Sequence, residues 1–164
     1  MIALVASIFN STPNFGIKER YSISSRSTLV ICPNNICTQW ANEINKLNSD
    51  LKVILLTSKK KYNTIKYADI LTADFTIASY DYILTNKTSF ENVEQYGPPG
   101  ISLETKMNTK INDLLRDTYL FEKTNIILPA IKFRRIIWDE YQNFCINKNT
   151  YDFLKASYKS VSYT

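Results

Sequence analysis

Four short apolar runs punctuate a largely polar chain: TLVIC (28–32), KVILLT (52–57), FTIA (75–78) and RIIW (135–138). Each is too short for a buried helix and rich in β-branched residues, the pattern of strands covered on both faces of a parallel sheet. Between the first two runs, Ile36, Trp40, Ile44 and Leu47 recur at steps of four, four and three. That spacing predicts a helix with one apolar stripe, with Trp40 in the core and Gln39, Asn42, Glu43 and Lys46 outside it. Pro33 and the Asn34-Asn35 pair fall where the strand must stop and the helix must be capped. A polar helix around Lys60 to Leu71 then returns the chain to the strand at Phe75. Alternation of this kind predicts an α/β fold, a mainly parallel sheet flanked by helices and joined by right-handed crossovers.

Two segments interrupt the pattern. Residues 10–27, rich in Ser and Asn with Pro13 and Gly16, predict a surface loop between an opening helix at Met1–Ser7 and the first visible strand. Residues 86–132 turn at Gly97-Pro98-Pro99-Gly100 and continue into a helical stretch in which Ile111, Leu114, Leu115 and Leu120 share one side. This stretch reads as a helical insertion within a single domain spanning 1–164.

Composition narrows the chemistry. The 164 residues are 45% hydrophobic and 21% charged, which excludes disorder and collagen-like repetition. With 0 His, imidazole bases, Ser-His-Asp and Cys-His sites, HExxH zincins and two-histidine zinc fingers are all excluded. With 3 Gly, neither GxGxxG nor GxxxxGK[ST] occurs in these residues. Cys32, Cys37 and Cys145 match no zinc-ribbon or CxxC spacing and read as buried reduced thiols. The apolar start lacks a basic n-region and is too short to cross a bilayer, so an intracellular reducing compartment (cytoplasm, nucleus or virion) is expected, with neither secretion nor a membrane partner. Richness in Asn, Ile, Lys and Tyr suggests an A/T-biased coding sequence, as in some viruses and microbes. The net charge of +5 is compatible with weak, salt-dependent phosphate binding through Lys59-Lys60-Lys61 and Lys132, Arg134 and Arg135. Those runs read equally well as solvated faces, while Lys106, Lys110, Arg116 and Lys123 in the insertion read as residues that keep a helix soluble in preference to a nucleic-acid face.

In a parallel sheet, ligands bind beyond the carboxyl ends of the strands. The exits here are Cys32-Pro33, Ser79-Tyr80 and Asp139-Glu140-Tyr141-Gln142. An apolar strand ending in Asp-Glu is a Walker B arrangement, and neighbouring carboxylates on a strand point to opposite faces and so can take different tasks. The order of these exits is more specific than any one of them. TLVICPNNICTQWANE (28–43) resembles motif Ia of superfamily 2 helicase-like ATPases of the Snf-type branch, DFTIASYDYIL (74–84) resembles its motif Ib, and FRRIIWDEYQ (133–142) resembles its motif II, a DEAH-type box reading DEYQ.

The resemblance implies a partial RecA-like domain, the first lobe of a nucleic-acid-dependent ATPase that uses ATP and Mg²⁺ for translocation or remodelling. It implies that Asp139 holds Mg²⁺ through water, that Glu140 activates the attacking water and that Gln142 couples nucleotide state to nucleic acid or the partner lobe. It places Pro33, Asn34, Ser79 and Tyr80 along a nucleic-acid track, with double-stranded DNA as the expected partner. The phosphate loop that would bind the nucleotide is not among these residues. The tail KSVSYT (159–164) resembles the strand entering motif III. Hydrolysis is therefore expected only when a phosphate-loop segment and a second lobe, on a companion polypeptide or a longer chain, complete the fold. A missing inner strand would leave bare sheet edges and marginal stability. Two other readings are a non-catalytic protein- or nucleic-acid-binding module derived from such a lobe and a carboxylate-metal nuclease. The nuclease is disfavoured because no further acidic cluster joins Asp139 and Glu140.

Overall fold

The structure is a computed structural model that describes residues 15–57, 64–85, 98–140 and 154–161. Strands β1 (Lys18–Glu19) and β2 (Ser22–Ser24) are followed by β3 (Thr28–Cys32), helix α1 (Cys37–Leu47), β4 (Val53–Leu56), α2 (Tyr67–Thr72), β5 (Phe75–Ser79) and α3 (Tyr80–Thr85). The chain ends with α4 (Leu103–Leu115), β6 (Ile131–Trp138) and β7 (Lys155–Val161). All seven strands join one sheet, and every pairing is parallel except the β1–β2 hairpin.

Period-two alternation divides the strands between two apolar layers. Leu29, Ile31, Leu56, Ala78, Ile136 and Trp138 face the larger core, into which α2 and α4 pack. Val30, Cys32, Phe75, Ile77 and Ile137 face the smaller one, which is closed by Cys37, Ala41 and Ile44 of α1. The result is the expected three-layer α/β arrangement, in which β6 pairs with three other strands. Ser25 N–H donates to the Lys132 carbonyl and Arg134 N–H donates to that of Ser27. Lys132 and Arg134 are two apart and thus bond on the same side of β6, so β2 and β3 run end to end along that side while β7 takes the other.

The loop expected over residues 10–27 is therefore sheet from Lys18 onward. Ser22, Ser25 and Ser27 are buried; the Ser25 hydroxyl donates to the Ile70 carbonyl at 3.1 Å, and the Ser27 and Thr76 hydroxyls meet at 2.8 Å. Hydroxyls that find internal partners carry no penalty for burial, which defeats a reading based on polarity. Of the helix expected around Lys60 to Leu71, the described residues hold Tyr67–Thr72, which Lys66 caps and where Asp69 accepts from the Lys66 N–H at 2.9 Å. Its inner face is apolar, with Tyr67, Ile70 and Leu71 fully buried.

The described part of 86–132 supplies core. Met107, Ile111, Leu115 and Leu120 are buried in the larger layer, and Leu114 packs against it. The Tyr67 hydroxyl accepts from the Ile127 N–H at 2.8 Å, tying this segment to α2. β6 starts at Ile131, so the last two residues of that range are strand. Its basic residues are largely engaged: Lys123 pairs with Asp117 at 2.6 Å, Lys132 with Glu19 at 3.3 Å, and Arg135 lies 6.0 Å from the Tyr158 ring. β7 extends the expected tail strand back to Lys155, and among the described residues no strand pairs with its outer edge. No helix among the described residues is long and apolar enough to cross a membrane. The Met1–Ser7 helix, Lys59-Lys60-Lys61, Cys145 and Gln142 lie outside the described residues.

Candidate functional site

The three strands whose exits carry the candidate chemistry are neighbours in register. Cys32 of β3 faces Ser79 of β5, and Ile31 faces Trp138 of β6, so Pro33, Tyr80 and Asp139 leave the sheet at one rim. β3 stops because Pro33 has no N–H to give the ladder. A single 3₁₀ turn, Asn34–Ile36, then leads into α1.

At the β6 exit the ladder continues one residue past the strand, with Asp139 N–H donating to the Ile31 carbonyl at 2.8 Å. Glu140 then turns away in a left-handed backbone conformation, φ +53°. The expectation that the two carboxylates diverge by strand alternation is corrected here. Asp139 is still in line with β6 and Glu140 is not, so the turn separates them. An L-residue in this region costs of order 1 kcal/mol and persists only where its surroundings hold it. Tyr80 supplies that hold: its hydroxyl donates to the Glu140 carbonyl at 2.9 Å and also bonds the Asp139 carbonyl.

Each Asp139 oxygen accepts one hydrogen bond. Trp40 Nε1 donates to Oδ2 at 3.0 Å, and Glu140 N–H donates to Oδ1 at 3.1 Å. The remaining lone pairs suit Mg²⁺ bound through water, an ion that keeps several waters and takes only one or two carboxylates when phosphates supply the rest. Among the described residues, no group of three or more acidic, Cys or His side chains could hold a metal ion.

Pro33 is half-buried and Asn34 is exposed. The Asn34 side chain spans two strand exits: its amide bonds the Asp81 carboxylate, and its Oδ1 accepts from the Asp81 N–H at 3.1 Å. Ser79 is fully buried, and its hydroxyl accepts from the Tyr82 N–H at 3.1 Å, fastening the start of α3. Its part at this rim is to hold Tyr80 and Asp81 in place. Tyr80 itself is 9% exposed, its ring spent on the acidic turn. Cys32 and Cys37 are buried free thiols with sulfurs 3.4 Å apart. The hydrogen bond to Cys37, burial and the nearby charges of Asp139 and Glu140 push the Cys32 thiol up.

Sequence reasoning missed two members of this network. Asp81 had a signal, an acid in the first turn of a helix opening at a strand exit. Trp40 was assigned to packing, and it does pack against the smaller core. The neglected point was that a partly buried indole N–H needs an acceptor.

Burial, with Asp139 and Glu140 nearby, pushes the Tyr80 hydroxyl up to about 12. A raised pKa stabilises the fold fully below the unfolded value, near 10, and the contribution disappears as pH rises through the folded one. Stability of the wild-type chain is therefore expected to fall between pH 10 and about 12. In urea titrations across that window, Tyr80→Phe should show a shallower fall.

Residues 1–160 match the SNF2-related domain. Over 122 residues, 73% of the chain, the sequence is 28% identical to the E3 ubiquitin-protein ligase SHPRH of Mus musculus and 27% identical to that of Homo sapiens. The chain spans 7% and 6% of those two proteins.

Proposed function

Because this chain belongs to the SNF2-related domain family, we propose that it is the core of the first RecA-like lobe of a helicase-like, nucleic-acid-dependent ATPase. The observation that carries this reading is the shared rim: an Asp-Glu turn at the end of an interior parallel strand, with the β3 and β5 exits side by side next to it, bonded to Tyr80 at the β5 exit and to Trp40 of the helix that follows the β3 exit. Mg²⁺ bound with ATP would neutralise phosphate charge as it develops during transfer. Asp139 presents a fixed carboxylate to the hydrated ion, and Glu140 takes the proton of the attacking water. Gln142 follows the same turn and couples nucleotide state to nucleic acid or the second lobe. Pro33 and Asn34 form the accessible edge of the track, where backbone N–H groups and short polar side chains grip phosphates without reading sequence, while Ser79 and Tyr80 hold that edge to the acidic turn. Double-stranded DNA is the proposed polymer.

Phosphoryl transfer needs a backbone cradle and a lysine around the phosphates, and the 164 residues contain no GxxxxGK[ST]. Hydrolysis thus requires a phosphate-loop segment and a second lobe from outside them. The alternative reading is a non-catalytic module retained for binding nucleic acid or a protein. The test compares ATP hydrolysis by the chain alone and by the chain completed with those two parts, each with and without duplex DNA. The expected result is DNA-stimulated turnover only in the completed assembly. No turnover there, with salt-dependent DNA binding by the chain alone, would establish the second reading.

A further inference from the structure

Trp40 lies on α1, the helix that leaves the Pro33–Asn34 turn, yet its indole N–H ends on the motif II carboxylate. A carboxylate just past a strand end is otherwise free to rotate about two side-chain bonds. Here two donors reach different oxygens from different directions, the indole at 3.0 Å on Oδ2 and the Glu140 N–H at 3.1 Å on Oδ1. One belongs to the turn itself and moves with it. The other is carried by a separate helix packed on the smaller core through Ala41 and Ile44, so the indole ties the carboxylate to α1 as well as to its own turn. Hydrogen bonds to an ionised acceptor are about twice as strong as neutral ones, enough to select one orientation.

We propose that Trp40 is a positioning residue for Asp139, its indole N–H setting which carboxylate edge faces hydrated Mg²⁺ and thereby passing the position of α1 to the metal site. This deepens the ATPase reading and rests on it. Any displacement of the Pro33–Asn34 turn by a bound nucleic-acid backbone would travel along α1 to the carboxylate. Tyr80 completes the frame by holding the backbone of the same turn, and the Asn34–Asp81 pair joins the two loops.

The first measurement uses the ¹⁵N-labelled 164-residue chain, whose 2 Trp give two indole N–H resonances. Trp40→Phe identifies the Trp40 resonance by its loss. In Asp139→Asn that resonance is expected to shift and its hydrogen exchange to quicken, because the charged acceptor is gone. An unmoved resonance overturns the proposal.

The second measurement uses the completed assembly and reads the Mg²⁺ concentration for half-maximal hydrolysis. Trp40→Phe, which keeps an apolar ring and removes the donor, should raise it about tenfold, within the range for a hydrogen bond to a charged group. A merely structural role would lower the folded fraction or kcat and leave the Mg²⁺ requirement in place, and that result also overturns the proposal. Failure of the underlying ATPase reading looks different. The completed wild-type assembly would then hydrolyse no ATP at any Mg²⁺ concentration even though the Trp40 resonance moved, and the positioning role would fall with it.

Discussion

In the completed assembly, Glu140→Gln is expected to lower kcat for ATP hydrolysis by roughly 10²–10⁴-fold, the usual range for loss of a positioned general base. The amide has nearly the shape of the carboxylate but accepts no proton from water. The backbone features that build the site are untouched by this change, since Tyr80 bonds the Glu140 carbonyl and not its side chain. ATP binding should accordingly survive. Single-turnover hydrolysis and equilibrium nucleotide binding, measured on the same preparation, separate the two. A variant that binds and hydrolyses ATP like the wild type would remove Glu140 from the chemistry.

Trp138→Ala is expected to destabilise the chain by about 3–5 kcal/mol, the range for truncating a fully buried large aromatic residue. Trp138 has 0% exposure and is the largest side chain in the core. It pairs with Ile31 on one side and Val161 on the other, at the last rung before the acidic turn. Domains of this kind hold only about 5–15 kcal/mol in total, so a loss of this size leaves much of the population unfolded at 37 °C. Urea unfolding followed by circular dichroism measures it. A midpoint equal to that of the wild type would contradict the burial, whereas Trp138→Phe, which retains most of the volume, should lose less.

The elements legible in the sequence are those whose signal is apolar and periodic. The runs at 28–32, 52–57, 75–78 and 135–138 became β3, β4, β5 and β6, and the stripe through Ile36, Trp40 and Ile44 became the helix that closes the smaller layer. The rim site was legible for a related reason, because polar residues directly after such runs stand out. What was hidden depends on polar groups meeting across long separations. Ser25 and Ser27 read as loop because no local pattern reveals that Ile70 and Thr76 will receive their hydroxyls. Trp40 reads as packing because its acceptor is 99 residues away. Glu140 reads as strand because its left-handed turn is held by Tyr80 from another loop.

The placement of β6 also bears on how the molecule is made. β3, β4 and β5 can pair as soon as they are synthesised, but β3 meets its other neighbour only when Arg135–Trp138 arrives, and β7 adds later still. Such distant pairings make folding slow and leave a hydrophobic strand edge uncovered while the ribosome is still working. The acidic turn is thus assembled only after Arg135–Trp138 has paired with β3, so a nascent chain must be shielded from aggregation before it can acquire any of its chemistry.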